Sequence, residues 1–359
     1  MVNYHVTIPF LLFCSLCFLA CVKDKPNPDT KSNAITSNKG IVILNEGAYG
    51  INNADISFLD LDKRIISNNL YKQQNNKSLG DVAQSITKIN GNYFVAVNNS
   101  NKVLVLDTAN FQLHTTIANV NFPRYILQVS PSKAYISSLY YPQIQVLDLT
   151  TYQVTKTITL DHINTEQMTL VNGFVYCTNW DTASNVIYKI NPNTDELVSK
   201  IPISGRASHS LALDKHNKLW VMSGNKYKNK PSFLSCIDPT TDTEIKTFAF
   251  PSQADPFRLI CNTTRDTLYF IQVNYNGGNL YNGVYRMAID ATALPENAFI
   301  PALLNSYYWA LAIDSNTQHL YLSDPKGFAQ QSTISEFNPQ GQLIQQFQAG
   351  IGANTFLFR

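Results

Sequence analysis

The chain has 359 residues, with 27 Lys and Arg balanced against 25 Asp and Glu for a formal net charge of +2. That balance argues against a nucleic-acid or polyanion binder, which normally shows a clustered basic excess. Charged residues amount to only 14%, well under the roughly 25% of an average soluble domain. Apolar residues at 44%, with 19 Tyr and 19 Phe, are enough for a large core and exclude global disorder.

The first apolar run, Ile8 to Ala20 (IPFLLFCSLCFLA), is short for a bilayer span and suits the core of a secretory signal. It ends in Phe18-Leu19-Ala20-Cys21, which resembles a bacterial lipobox, where a cysteine after a small residue is lipidated. Phe18 stands where Leu is usual, and the preceding MVNYHVT holds no Lys or Arg. Residues 1–20 read as a lipoprotein signal peptide, Cys21 as the lipidation site and residues 21–39 as a flexible polar tether. Lys23-Asp24 is similar to the charged surface-export signal of Bacteroidetes lipoproteins. The expected location is therefore the outer membrane, lipid-anchored and facing the cell surface. No 18-residue apolar stretch follows Cys21, so no transmembrane helix is expected.

From Gly40 onward an apolar strand ending in Asp or Asn recurs, at Asp60, Asp107, Asp148, Asn191, Asp238, Asp290 and Asn338. A spacing of roughly 40 to 50 residues without helical periodicity marks propeller blades. Each unit carries four strand patterns. In one, QSITKI, NYFVAVN, KVLVLDT and LHTTIA are separated by Asn-Gly and Asn-rich turn signals. The stretch from Gly40 to Arg359 accommodates seven such units, but only six are complete. It opens with three strands, GIVILNEG, ADISFLDL and RIISNNLY, that lack an inner one, and closes with a lone inner strand, ANTFLFR. The expected fold is all-β: a seven-bladed β-propeller over residues 40–359, its first blade closed by the C-terminal strand.

Three cysteines fall within these strands. Cys177, Cys236 and Cys261 lie in apolar runs without metal-type spacing and read as small buried hydrophobes. One disulfide among them stays open in an oxidising compartment.

The innermost strands of a propeller line its channel, and aligning them puts Gln84, Arg124, Gln167, His209, Arg258, Trp309 and Asn354 in one register. Six of these seven are polar, which suits hydrogen bonding to a polar ligand or a merely solvated rim. Loops joining second and third strands would raise Tyr49, Tyr140, Tyr141, Trp180, Tyr227, Tyr275, Tyr281 and Phe328 on the same face. Exposed loop aromatics offer large contact area at low entropic cost, although some will only pack their own loops. The ligand-binding candidates are Arg124, Tyr140, Trp180, His209, Tyr227, Arg258, Tyr275 and Trp309.

Signals for catalysis are sparse. The six histidines are scattered without a His-x-x-x-His or His/Cys cluster, and neither G-x-S-x-G nor G-x-x-x-x-G-K-[ST] occurs. Glu46, Glu166, Asp181 and Asp255 fall near the ligand face, where a carboxylate pair for glycoside cleavage could sit. The expectation is a protein that is not an enzyme and uses no metal or cofactor.

The opening GIVILNEGAYGINNADISFLDL, the repeated V-L-D-L/T strand ends and the leader resemble the YncE-like seven-bladed propeller lipoproteins of Bacteroidetes. The resemblance covers roughly Gly40 to Arg359, and Asn45-Glu46-Gly47 followed by an aromatic and a Gly-Asn-rich loop is its most specific part. It implies kinship with BtuG-type surface lipoproteins, which capture cobalamin and hand it to a TonB-dependent outer-membrane transporter. The implied ligand is a corrinoid, bound and not used as a cofactor, and the implied partner is such a transporter. No residue motif here is specific to cobalamin. The alternatives are capture of another nutrient, such as a glycan, and a propeller lyase or hydrolase.

Overall fold

The computed structural model describes residues 39–274 and 282–359; Cys21, Tyr275 and Tyr281 lie outside the described residues. Seven four-stranded antiparallel sheets are present. In the first blade β1 (Gly40–Asn45), β2 (Asp55–Asp60) and β3 (Ile65–Ser67) are joined by the C-terminal β28 (Ala353–Phe358), which pairs with β1. The other blades follow in chain order, with β4–β7 over residues 83–117, β8–β11 over 123–159 and β12–β15 over 165–202. Then come β16–β19 over 208–249, β20–β23 over 255–301 and β24–β27 over 310–351. The inner strands β4, β8, β12, β16, β20, β24 and β28 touch their neighbours in a closed cycle. The seven-bladed ring and its closure by the C-terminal strand are both present.

Both faces of each sheet are covered by neighbouring blades, which is why the second and third strands are continuous apolar runs and not alternating ones. Seven apolar clusters fill the seven gaps between blades. One packs Phe94 and Val105 of the second blade against Ile136 and Leu147 of the third. Another packs Ile41 and Ile43 of the first against Tyr321 and Ile334 of the seventh, so burial as well as pairing closes the ring. Outermost strands alternate instead, as in Thr243–Ala249, because one face meets water. Cys177 and Cys236 are buried, Cys261 is half-buried, and all three are free thiols. Burial pushes the Cys236 and Cys261 thiols up to about 12.

The recurring Asp or Asn is a turn device on the face away from the second-to-third-strand loops. The Asp107 carboxylate accepts from Ala109 N at 2.7 Å, and Asp148 accepts from Thr150 N at 2.7 Å. Asn191 and Asp238 do the same with Asn193 N and Thr240 N, both at 2.9 Å. These are Asx turns that start the hairpin between third and fourth strands. The residue closing several of them is left-handed, as at Arg64, Phe111, Tyr152, Asp195 and Asp242.

One expected element differs. The sequence pattern makes RIISNNLY a strand, but β3 stops at Ser67 and a short helix, α1 (Leu70–Asn75), follows. The Asp55 carboxylate accepts from Tyr71 N at 3.0 Å and Lys72 N at 3.3 Å, satisfying helix N-terminal amides from another strand. Tyr71 is fully buried, which anchors the turn. Neither feature is visible in the local sequence.

Candidate functional site

The site is built where the inner strands begin, and its foundation is a repeated β-bulge. In β4, β8, β12, β16, β20 and β28 the register slips at Gln84, Arg124–Tyr125, Glu166–Gln167, His209, Arg258–Leu259 and Asn354. Each slip leaves one residue more on the inner strand than on its partner, which turns a side chain out of the ladder. Matching the pairs that follow, Ile126 with Ile136 and Met168 with Cys177, makes Glu166 the equivalent of Arg124. Aligning the apolar runs of the sequence puts Gln167 there, one residue too far. The ring is thus Gln84, Arg124, Glu166, His209, Arg258, Trp309 and Asn354, with two cations and a carboxylate.

Two residues ahead of the ring position, Val82, Phe122, Asn164 and Ala207 all have positive φ, between 41° and 64°. For a β-branched residue such as Val82 that conformation is strained, and strain of this kind gathers at functional sites.

Asn45-Glu46-Gly47 joins three elements at the mouth. Glu46 N donates to Gly352 O at 2.9 Å and Gly47 N to Ile351 O at 3.0 Å, while Glu46 O accepts from Ala83 N at 3.2 Å. Gly47 has φ +80°, and a Cβ there would fall 2.6 Å from Asn53 Oδ1, so glycine is required. Asn354 Nδ2 donates to Glu46 Oε2 at 2.8 Å. Burial raises the Glu46 pKa above the usual glutamate range, against the pull of that bond and of the Arg258 and Arg124 charges.

Arg124 is fully engaged. Its Nε and Nη2 donate to the two Glu166 oxygens at 2.8 and 3.1 Å, and Nη1 donates to Gln84 Oε1. Burial alone would push the Glu166 carboxyl up, yet a bidentate pair with a guanidinium that keeps its proton favours the charged state. Arg258, itself at φ +57°, donates Nε to Trp309 O at 3.1 Å and lies 5.9 Å from the Trp309 ring centre. Burial, then the Arg258 charge, brings the His209 pKa down to about 4, so His209 is neutral near pH 7. Trp309 packs between Phe257 at 5.4 Å and Phe328 at 5.3 Å, and its Nε1 is buried without a hydrogen-bond partner.

These groups surround a cavity of about 650 Å³ at the channel mouth. Of the candidates, Arg124, Trp180, His209, Tyr227, Arg258 and Trp309 line it, and Tyr275 lies outside the described residues. Tyr140 does not line it: its ring sits edge-on against Phe122 at 5.2 Å, at the rim of the third blade. Among the other wall residues, Tyr125 and Phe257 belong to bulged inner strands whose side-chain direction no local pattern reveals. Glu46, Glu166 and Asp255 share the cavity, whereas Asp181 pairs with His162 at 3.2 Å outside its wall. Among the described residues no three His, Cys, Asp or Glu side chains converge as a metal site needs.

A quinonprotein alcohol dehydrogenase-like protein from Bacteroides thetaiotaomicron superposes with a TM-score of 0.68 at 12% identity, over 88% of this chain and 78% of that one. The extracellular domain of a one-component system from the same species gives 0.60 at 14%, over 86% of this chain and 44% of that one. Hydrazine synthase from Kuenenia stuttgartiensis gives 0.59 at 13%, over 75% and 87%. At such identities the likeness shows the fold alone. No curated protein matches the chain. Residues 39–354, nearly the whole ring, match the family described as a domain of unknown function (DUF5074), and the chain belongs to that family.

Proposed function

We propose that this propeller is a non-enzymatic, lipid-anchored surface protein that captures a corrinoid at the channel mouth and passes it to a TonB-dependent outer-membrane transporter. The observation that carries the reading is the make-up of the cavity, in which aromatic rings, amides and a guanidinium with no ion pair among the described residues converge from several blades. A corrinoid presents peripheral amides, an apolar macrocycle edge and a phosphodiester tail. Gln84, Gln167 and Asn225 complement the first, Trp180, Trp309 and Phe328 the second, and Arg258 the third. Cys21 would supply the anchor, which agrees with a ligand face that collects solutes outside the cell.

Calorimetric titration of the purified full chain with cyanocobalamin, cobinamide and a panel of sugars tests the proposal. Cyanocobalamin should bind, Trp180→Ala should weaken it by about 2 kcal/mol, and Tyr140→Ala should leave it unchanged. Heat with sugars alone would favour glycan capture, a reading supported by the rings of Tyr49 and Tyr227, 80% and 88% exposed at the rim. The absence of heat with every corrinoid would overturn the corrinoid assignment.

A further inference from the structure

The two guanidinium groups of the cavity are in different states. Arg124 has its charge answered by Glu166 and its fork occupied by Glu166 and Gln84. Among the described residues the Arg258 side chain makes one hydrogen bond, from Nε to a carbonyl, and no carboxylate lies within ion-pair distance of it. Close to it stand the buried Trp309 indole N–H and the Glu46 carboxyl, which accepts from Asn354 Nδ2 at 2.8 Å. The Trp309 N–H is near enough to Glu46 to favour its charged form, but among the described residues it completes no hydrogen bond of normal geometry. A cation with free donors in a cavity, next to an unused N–H, is a seat for an oxyanion.

We propose that Arg258 seats an anionic ligand group of the sulfate, phosphate or carboxylate type, and that Glu46 controls occupancy as the competing internal counter-charge. The seat is open when Glu46 carries a proton and closed when it is ionised. This deepens the capture reading by naming the chemistry held at one point of the mouth, and it rests on that reading only for the place where ligand binds.

The sign follows from the surroundings. Glu46 faces Asn354 on β28, Arg124 on β8, Arg258 on β20, and Trp309 and Tyr307 ahead of β24. Burial outweighs the two arginines and raises its pKa, so it gains a proton at a higher pH than an exposed glutamate. Arg258 faces His209, which stays neutral until about pH 4, and Glu166, which is already paired with Arg124. Asp255 shares the cavity, and its carboxyl is also raised by burial, against a backbone N–H bond from Lys226. Oxyanion affinity therefore rises as the pH falls, by at most about tenfold per pH unit for one linked proton.

Sulfate is the probe, because its charge does not change between pH 8 and pH 5. Sodium sulfate is titrated into the purified full chain at constant ionic strength, in wild type, Glu46→Gln and Arg258→Gln. Wild type should bind more tightly toward pH 5, Glu46→Gln should bind tightly with most of that pH dependence gone, and Arg258→Gln should lose binding at every pH. Sulfate binding that survives Arg258→Gln would overturn the seat. Flat wild-type binding, matched by an unaltered Glu46→Gln, would overturn the control. Should Glu46→Gln fail to fold, the wild-type pH profile and Arg258→Gln still decide. Sulfate binding without cyanocobalamin binding would remove the corrinoid alone and leave the seat standing.

Discussion

Arg124 and Arg258 stand at equivalent points of their blades and face opposite demands. Glu166 is 2% exposed and holds Arg124 in a bidentate pair, so the pair braces the channel wall. Glu166→Gln keeps the shape but leaves a buried guanidinium without its counter-charge, which should cost about 3 kcal/mol or more in chemical denaturation. Arg258→Gln, with no ion pair to break, should leave stability nearly unchanged. Equal costs for the two variants would mean that the difference in pairing carries no energetic weight. The contrast was hidden in the sequence for a definite reason. An apolar pattern marks the start of an inner strand, but a bulge adds a residue without disturbing that pattern, so the pattern points to Gln167 in place of Glu166. Loop aromatics were legible as a class. Whether a ring turns to the mouth, as Trp180 does, or against a neighbour, as Tyr140 does against Phe122, depends on residues in other blades.

At the scale of elements, the strands follow from burial on both faces, and the apolar runs announced them clearly. Helix α1 did not announce itself, because Asp55 satisfies its first amides from another strand. The strand with the most consequence is β28. It supplies Phe356, Phe358 and Leu357 to the packing on either side of the first blade, and its Asn354 holds Glu46. Deleting residues 353–359 would expose the β1 edge and remove those three side chains, a loss of about 5 kcal/mol from burial alone. Circular dichroism melts of the truncated chain should show a much lower or broadened transition. An unchanged melting temperature would mean that the first blade is stable without its inner strand.

For the whole molecule, closure has a second lock on the outer side. Arg64 of the first blade donates to Glu336 of the seventh, where Tyr321 Oη donates at 2.9 Å and His319 Nδ1 lies 2.8 Å away. Burial would raise the Glu336 pKa, but the bonds from Arg64, His319 and Tyr321 outweigh it and hold it below the usual glutamate range. A carboxyl depressed in the fold contributes stability that is complete above its unfolded pKa and lost as the pH falls through the folded one. Melting temperature should therefore drop on acidification below the ordinary glutamate range. Glu336→Gln should melt lower than wild type at pH 7 and the gap should narrow as the pH falls below the ordinary glutamate range; a gap that stays constant with pH would contradict the linkage.

The bulges have a further consequence. Six of the seven ring residues, all but Trp309, sit at the bulge of their strand, where the ladder sets no one-to-one cross-strand partner, so their identity is free of the pairing code. Chains with the same seven sheets can thus display unrelated mouths, varied blade by blade like the characters of a seven-place word. Recognition in this architecture is written in a margin that the scaffold does not read.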